Sequence, residues 1–210
     1  MSTSSGDALR LNSRLSLRSG IVWALGALLS AGIALFSYRY LLHVGIVPPQ
    51  IAANRHVSPW LVIHVAGAAT GLLLGPAQFL PGLRARHRRV HRWIGRTYAV
   101  SCIVGGVAGL VLAFGTTTGL ISTAGFGLLA VLWMITTALA WRHALKRDFI
   151  EHRRWMIRSF ALTLAAVTLR LYLPISMLLP FLSEEAYRAI SFLCWVPNLI
   201  VAELYLFRRS

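Results

Sequence analysis

Residues 75–96, "GPAQFLPGLRARHRRVHRWIGR", join two long apolar stretches and pack six arginines and two histidines into a short bend. In a soluble protein such a run marks a nucleic-acid patch. In a membrane protein it is the charge that sets orientation. The flanks decide between the two. The chain has 210 residues, is 57% hydrophobic and only 13% charged, and has a mean hydropathy of +0.66. A soluble domain of this size cannot hide that much apolar side chain, so the membrane class comes first. The formal net charge of +15 is then read by where the charges fall.

Outward from the bend, six apolar segments stand near 20–44, 58–80, 93–114, 120–141, 157–180 and 189–207. Each reaches the roughly 20 residues needed to cross a ~30 Å hydrocarbon core. The sequence therefore predicts an all-α, polytopic integral membrane protein with six transmembrane helices. Short links between antiparallel helices favour an up-down bundle. Residues 1–19 form an N-terminal tail, and 20–207 form a single transmembrane domain. The first segment is long and carries no clear cleavage site, so it is read as a retained helix.

The charge census gives one orientation. Arg10, Arg14 and Arg18 precede the first segment. Arg84 to Arg96 follow the second, Arg142 to Arg158 follow the fourth, and Arg208 and Arg209 end the chain. If the six segments cross in turn, all of these share one side. The other side keeps Arg39, Arg55 and Arg188, with Glu184 and Glu185. The positive-inside rule then puts both termini in the cytoplasm. Partners follow from this: a lipid bilayer and no nucleic acid.

Three helix faces carry small or polar seams. His64, Ala68, Gly71, Gly75 and Gln78 line the second segment. His91, Gly95, Tyr98, Cys102, Gly105 and Gly109 line the third. His152, Met156, Ser159, Thr163, Ala166 and Arg170 line the fifth. Small residues on such seams let helix backbones approach in lipid, which explains them without any function. Ionisable groups are harder to explain that way, because each costs at least ~2.5–3.5 kcal/mol to insert. At 1.5 Å per residue, His64 lies roughly 9 Å and Arg170 and Asn198 about 15 Å below the outer edge. Together with Trp195 they form an expected outer cluster. Gln78, His91, Arg96, His152, Arg158 and Glu203 form an expected inner one. Glu203 requires an arginine partner, Arg96 or Arg158, since an unpaired carboxylate at that depth is costly.

Two inward loops echo each other: "HRWIGR" at 91–96 and "HRRWMIR" at 152–158. The echo reads either as two related hairpins or as two cytoplasmic bends that each need cations and an interfacial tryptophan. Trp60, Trp93 and Trp155 read as aromatic-belt anchors. Cys102 and Cys194 read as free buried thiols, not a redox pair. No HExxH, CxxC, Walker or GxSxG motif occurs, which leaves enzymatic activity open.

A membrane b-type haem needs two neutral imidazoles at one depth, room for the ring, and cations for the propionates. His91 and His152 meet the first requirement as axial ligands of the iron. Arg92, Arg96, Arg153 and Arg158 meet the last. In the outer half His64 has no such partner, since His43 and His56 fall at or beyond helix ends. The leading expectation is therefore a single-haem or membrane redox protein, with a quinone or redox protein as partner. The alternative is a transporter or small-ligand binder whose pocket is lined by His64, Arg170 and Asn198. A third reading is an accessory subunit or homo-oligomer.

"HVAGAATGLLLGPAQF", "HRWIGRTY", "EHRRWMIRSFALTLAAVTLRLYLP" and "CWVPNLIVAE" together resemble the bacterial family of predicted membrane proteins called domain of unknown function 2306. The resemblance runs from about 60 to 206. It implies a multi-helix protein of the bacterial inner membrane and brings no activity with it. His64, Gln78, His91, Arg92, Gly95, Arg96, His152, Arg153, Trp155, Arg158, Arg170, Trp195, Asn198 and Glu203 are implied to belong to the family pattern. The paired hairpins are also loosely similar to cytochrome b561-like and ferric-reductase-like bundles, which bring two histidines for each haem.

Overall fold

The computed structural model describes residues 5–42, 44–177 and 183–208. His43, Arg209 and the 178–180 end of the fifth apolar segment lie outside the described residues. The described residues are all-α. The long helices are α1 (Ser5–Ser37), α2 (Val57–Leu74), α3 (Arg88–Gly115), α4 (Leu120–Leu145), α5 (Phe149–Thr163), α6 (Ala165–Met177), α7 (Ser183–Leu193) and α8 (Val196–Phe207).

Among the described residues, five stretches are long and apolar enough to cross a membrane: Val57–Phe79, Arg88–Gly115, Leu120–Leu145, Phe149–Ile175 and Glu184–Phe207. The chain is thus a polytopic membrane protein. The limits differ from the sequence reading in one consistent way. Helices α3 and α5 start several residues before 93 and 157, because arginine is a sound helix former and a polar turn continues a helix past its apolar part. His91, His152 and their arginines therefore sit within helices and not in loops.

Two spans are broken helices. The fourth, Phe149–Ile175, breaks at Leu164, where the Thr163 hydroxyl donates to Ser159 O at 2.9 Å; such back-bonding loosens a helix. The last breaks at Cys194 and Trp195, because Pro197 lies in the first turn of α8 and brings no N–H to continue α7.

The basic bend between α4 and α5 has its own stops. Lys146 caps α4 and Arg147 takes φ +60°. Asp148 N donates to His143 O at 3.0 Å and Arg147 N to Ala144 O at 3.1 Å. This is the Schellman pattern with arginine where glycine is usual. Asp148 then starts α5, its carboxylate accepting from Glu151 N at 3.2 Å.

The most extensive helix contact is α2 against α3, followed by α3 against α4 and α4 against α5. The main core gathers Tyr98, Cys102, Trp133, Leu162, Cys194 and Trp195. A second cluster joins α1 to α2 and α6 through Ala34, Ala69, Leu72 and Val167, and Tyr38 Oη lies 2.9 Å from Thr70 Oγ1 across that contact. Large apolar side chains on the outside, among them Leu28, Val104, Leu128, Leu171 and Val201, are exposed, as lipid-facing positions are.

Candidate functional site

The two expected seams of α2 and α3 mesh antiparallel. A Cβ on Gly67 would meet Ser101 O at 2.5 Å and Gly105 Cα at 2.8 Å. A Cβ on Gly71 would meet Cys102 Sγ at 3.1 Å, and one on Gly95 would meet Gln78 Oε1 at 3.0 Å. Gly109 lies against the His64 ring, 2.9 Å from Nδ1 to the Cβ it lacks. Glycine is needed at 67 because its neighbours there are backbone and cannot yield.

That close approach holds His64. Its Nδ1 is 2.8 Å from Gly105 O. A carbonyl only accepts, so Nδ1 donates, and the neutral ring keeps its lone pair on Nε2. The ring lines a cavity of about 180 Å³ between α2, α3, α4, α5 and α6. Tyr40, Asn54 and Thr116 line the cavity near the ends of their helices, and Trp133 and Thr163 line it deeper in the bundle. Most of the wall is apolar, supplied by Leu72, Leu129, Leu162 and Leu169 among others.

Arg170 also lines this cavity. It descends from α6, and its Nη1 donates to Ala166 O in its own helix at 3.0 Å. Among the described residues no carboxylate lies within ion-pairing distance of it. The groups in electrostatic reach of Arg170 are Arg39, the Tyr40 phenol and His64. The structure thus brings His64 and Arg170 together. It puts Asn198 elsewhere: its Nδ2 donates to Thr168 Oγ1 at 2.9 Å and to Cys194 O at 3.1 Å, pinning α8 to α6. Trp195 is likewise engaged, with Nε1 donating to Ser191 O at 2.9 Å.

Below the cavity the α3 and α5 seams meet in a buried hydroxyl cluster that no sequence motif announces. Tyr98 Oη lies 2.9 Å from both Ser159 Oγ and Thr163 Oγ1. Thr137 Oγ1 lies 2.7 Å from Ser159 Oγ, and Trp133 Nε1 donates to Thr163 Oγ1 at 2.9 Å. The available signal was Ser159 and Thr163 one turn apart on a seam opposite Tyr98. Buried polar groups that are all satisfied in this way fix one arrangement of helices.

The basic end is built differently. Arg158 grips Glu203 with two hydrogen bonds of 2.6 and 2.9 Å, so the acid inside the last span has its partner. Arg154 pairs with Glu151 at 2.6 Å. Arg92, Arg96 and Arg153 are exposed. Arg96 sits over the Trp93 ring at 5.5 Å and Arg158 over Trp155 at 4.6 Å, so both arms of the sequence echo make the same Trp–Arg stack. Outside the spans, the Glu151 N–H and then the His143 ring hold the Asp148 carboxyl below the usual carboxylate range.

Gln78, His91 and His152 gather at the basic end. Gln78 is buried, and its Nε2, like His91 Nδ1, has no hydrogen-bond partner among the described residues. His152 and Arg84 are in electrostatic reach of His91. His152 Nδ1 is 2.8 Å from Ala140 O. Neither histidine lines the 180 Å³ cavity or a second cleft of about 470 Å³ beside Thr137, Arg142 and Lys146. Cys102 and Cys194 are buried free thiols. Among the described residues no cluster of three His, Cys, Asp or Glu side chains offers a metal site.

No curated protein and no solved structure matches the chain. A family model described as "Predicted membrane protein (DUF2306)" matches residues 61–206, the stretch that holds every one of these polar groups except Tyr40, Asn54 and the Arg39 nearby. Over more than half its length, then, the chain carries the pattern of that family, and it belongs to the predicted membrane proteins DUF2306.

Proposed function

We propose that this protein binds a small polar ligand within the membrane, in the cavity between His64 and Arg170, as a transporter or ligand-binding subunit. One observation carries the reading. Arg170 is a guanidinium on an apolar cavity wall with no carboxylate within ion-pairing distance among the described residues. A buried charge without a partner is costly, and membrane proteins keep such groups for substrates. The proposal includes six spans, with 20–37 of α1 as the sixth. Its exposed Ile21, Leu25, Leu28, Leu29, Leu35 and Phe36 suit lipid. It also includes cytoplasmic termini, supported by the skew of arginine to one end, the up-down order that short links between helices favour, and the bacterial inner membrane that the family resemblance implies.

The test is ligand-dependent thermal stabilisation of the protein in nanodiscs, over a panel of small anions and neutral polar molecules. At least one should stabilise the native chain, and Arg170→Gln should remove that gain while Arg188→Gln keeps it. Equal responses from the native chain and Arg170→Gln would contradict the reading.

The second reading is haem held by His91 and His152. Its support is the bond from His152 Nδ1 to Ala140 O, which orients a ring for metal through Nε2. The surroundings do not fit the group. The space at Gly95 is taken by the Gln78 side chain, neither histidine lines a cavity, and Arg158 is engaged by Glu203. Protein from haem-supplied cells should show no Soret band; a stoichiometric band lost in His152→Ala would reverse the ranking.

A further inference from the structure

We infer that the ligand of the His64–Arg170 cavity is a hydroxylated aromatic ring, with one oxygen accepting from Arg170 and one hydroxyl donating to His64 Nε2. This rests on the reading of that cavity as a binding site. Three features of the wall select the class.

The first is size. A cavity of about 180 Å³ is close to the roughly 150 Å³ apolar cavity that takes up benzene. It has room for one six-membered ring with small substituents. The second is the lining. The wall is mostly apolar, with leucines, alanines, Trp133 and Phe126 among its residues, which suits the flat apolar body of an arene and penalises a polyhydroxylated or multiply charged solute. The third is the pair of polar handles, whose roles are opposite. Arg170 can only donate, so it calls for an oxygen that accepts, either carbonyl, carboxylate or phenolate. His64 spends its Nδ1 proton on Gly105 O. The neutral ring therefore presents an acceptor at Nε2 and calls for a ligand O–H. A simple carboxylate would satisfy Arg170 and leave Nε2 facing a second lone pair.

An arene with one donor hydroxyl and one acceptor oxygen satisfies both at once. Such a ring comes from two sources: the head group of a membrane quinol, or a free hydroxyaryl acid from the aqueous side. Both have the same recognition chemistry. Arg39 stands within electrostatic reach of Arg170 and adds to the attraction for the acceptor oxygen.

The experiment measures Kd by isothermal titration of the nanodisc-embedded full chain. The probes are 4-hydroxybenzoate, benzoate, benzamide and a short-tailed benzoquinol. The expected order places 4-hydroxybenzoate or the quinol about tenfold tighter than benzoate, the increment of one well-made hydrogen bond. Which of the two binds identifies the source. His64→Asn keeps a donor for Gly105 O but loses the Nε2 acceptor. It should abolish the preference over benzoate. Arg170→Gln should weaken every oxygen-bearing probe. If benzoate binds as tightly as 4-hydroxybenzoate and the quinol, the hydroxyaryl assignment is overturned while the cavity remains a ligand site. If benzamide alone binds, the assignment is likewise overturned. If no probe binds the native chain, while its thermal melt shows it folded, this assignment is overturned. The broader reading then stands or falls on the wider panel.

Discussion

The basic end and the mid-depth cavity hold the same kinds of side chain and treat them in opposite ways. At the basic end Arg158 has Glu203, Arg154 has Glu151, Arg96 and Arg158 stack on tryptophans, and Arg92 and Arg153 are exposed. Every one of those charges is accounted for by pairing, stacking or water. In the cavity Arg170 has a backbone carbonyl and an apolar wall. The number of arginines at one end speaks for orientation, whereas a single arginine at depth speaks for a ligand. On the proposed reading, an isolated cation at depth is a better guide to a site than a dense basic run.

The largest expected effect falls on the helix contact that presents His64. Gly67→Val should abolish the folded state in detergent, because even the Cβ lands 2.5 to 2.8 Å from the α3 backbone. Overpacking typically costs about 1–3 kcal/mol where side chains can yield, and here backbone opposes it. Gly82→Ala, with nothing within 4 Å, should melt like the native chain. Equal melts for both variants would break the claim that the α2–α3 approach is rigid.

Next comes the paired charge that sets the contrast. A double-mutant cycle of Arg158→Gln and Glu203→Gln, read by thermal melts, should return a coupling of about 1 kcal/mol. The fork is bidentate but the acid is partly exposed. A coupling of zero would make the basic end as unbalanced as the cavity.

Smaller still is Arg147→Gly. Arginine at φ +60° occupies the left-handed region, at a cost of about 1–2 kcal/mol, part of which glycine returns to the unfolded chain. The melting temperature should rise by one or two degrees, and a fall would show that the Arg147 side chain matters to the bend.

The smallest effect is a pH dependence at Asp148. Its folded pKa lies below the unfolded value, so its contribution is complete above the unfolded pKa of about 3.9 and is lost as pH falls through the folded one. The native chain should exceed Asp148→Asn in melting temperature at neutral pH, with the gap closing below about pH 4. A gap that widens on acidification would reverse the sign.

The apolar runs and the arginine skew made the membrane class legible, and the step of three and four residues laid out the seams that mesh at Gly71 and Gly95, but it did not pick out Gly67, where the helix backbones come closest. Depth along a helix set Arg170 apart from surface charge, and in the structure that arginine lines the cavity. It could not say which way Asn198 turns, because a residue on a broken span points where the break sends it. Pro197 and the kink at Cys194 aim Asn198 at Thr168, away from the cavity. The Tyr98–Ser159–Thr163 cluster was hidden for a related reason: its members are common seam residues and become a network only when the α3 and α5 seams meet. His91 and His152 had motif, depth and cations in their favour. Neither lines the 180 Å³ cavity or the 470 Å³ cleft, and the shape of such spaces is a property of packing that no spacing rule reports.

The most direct measurement is the melting temperature of ligand-free Arg170→Met in nanodiscs. If Arg170 is kept for a ligand, an apolar side chain of similar volume removes an unpaired buried charge from an apolar wall. Replacements of buried charge of this kind are neutral or stabilising by about 1–4 kcal/mol, and 1 kcal/mol shifts a chain of this size by about 2–4 °C. The account predicts a melt at least as high as that of the native chain, with ligand stabilisation gone. A melt lower by several degrees would mean that Arg170 holds the fold together, and would contradict it.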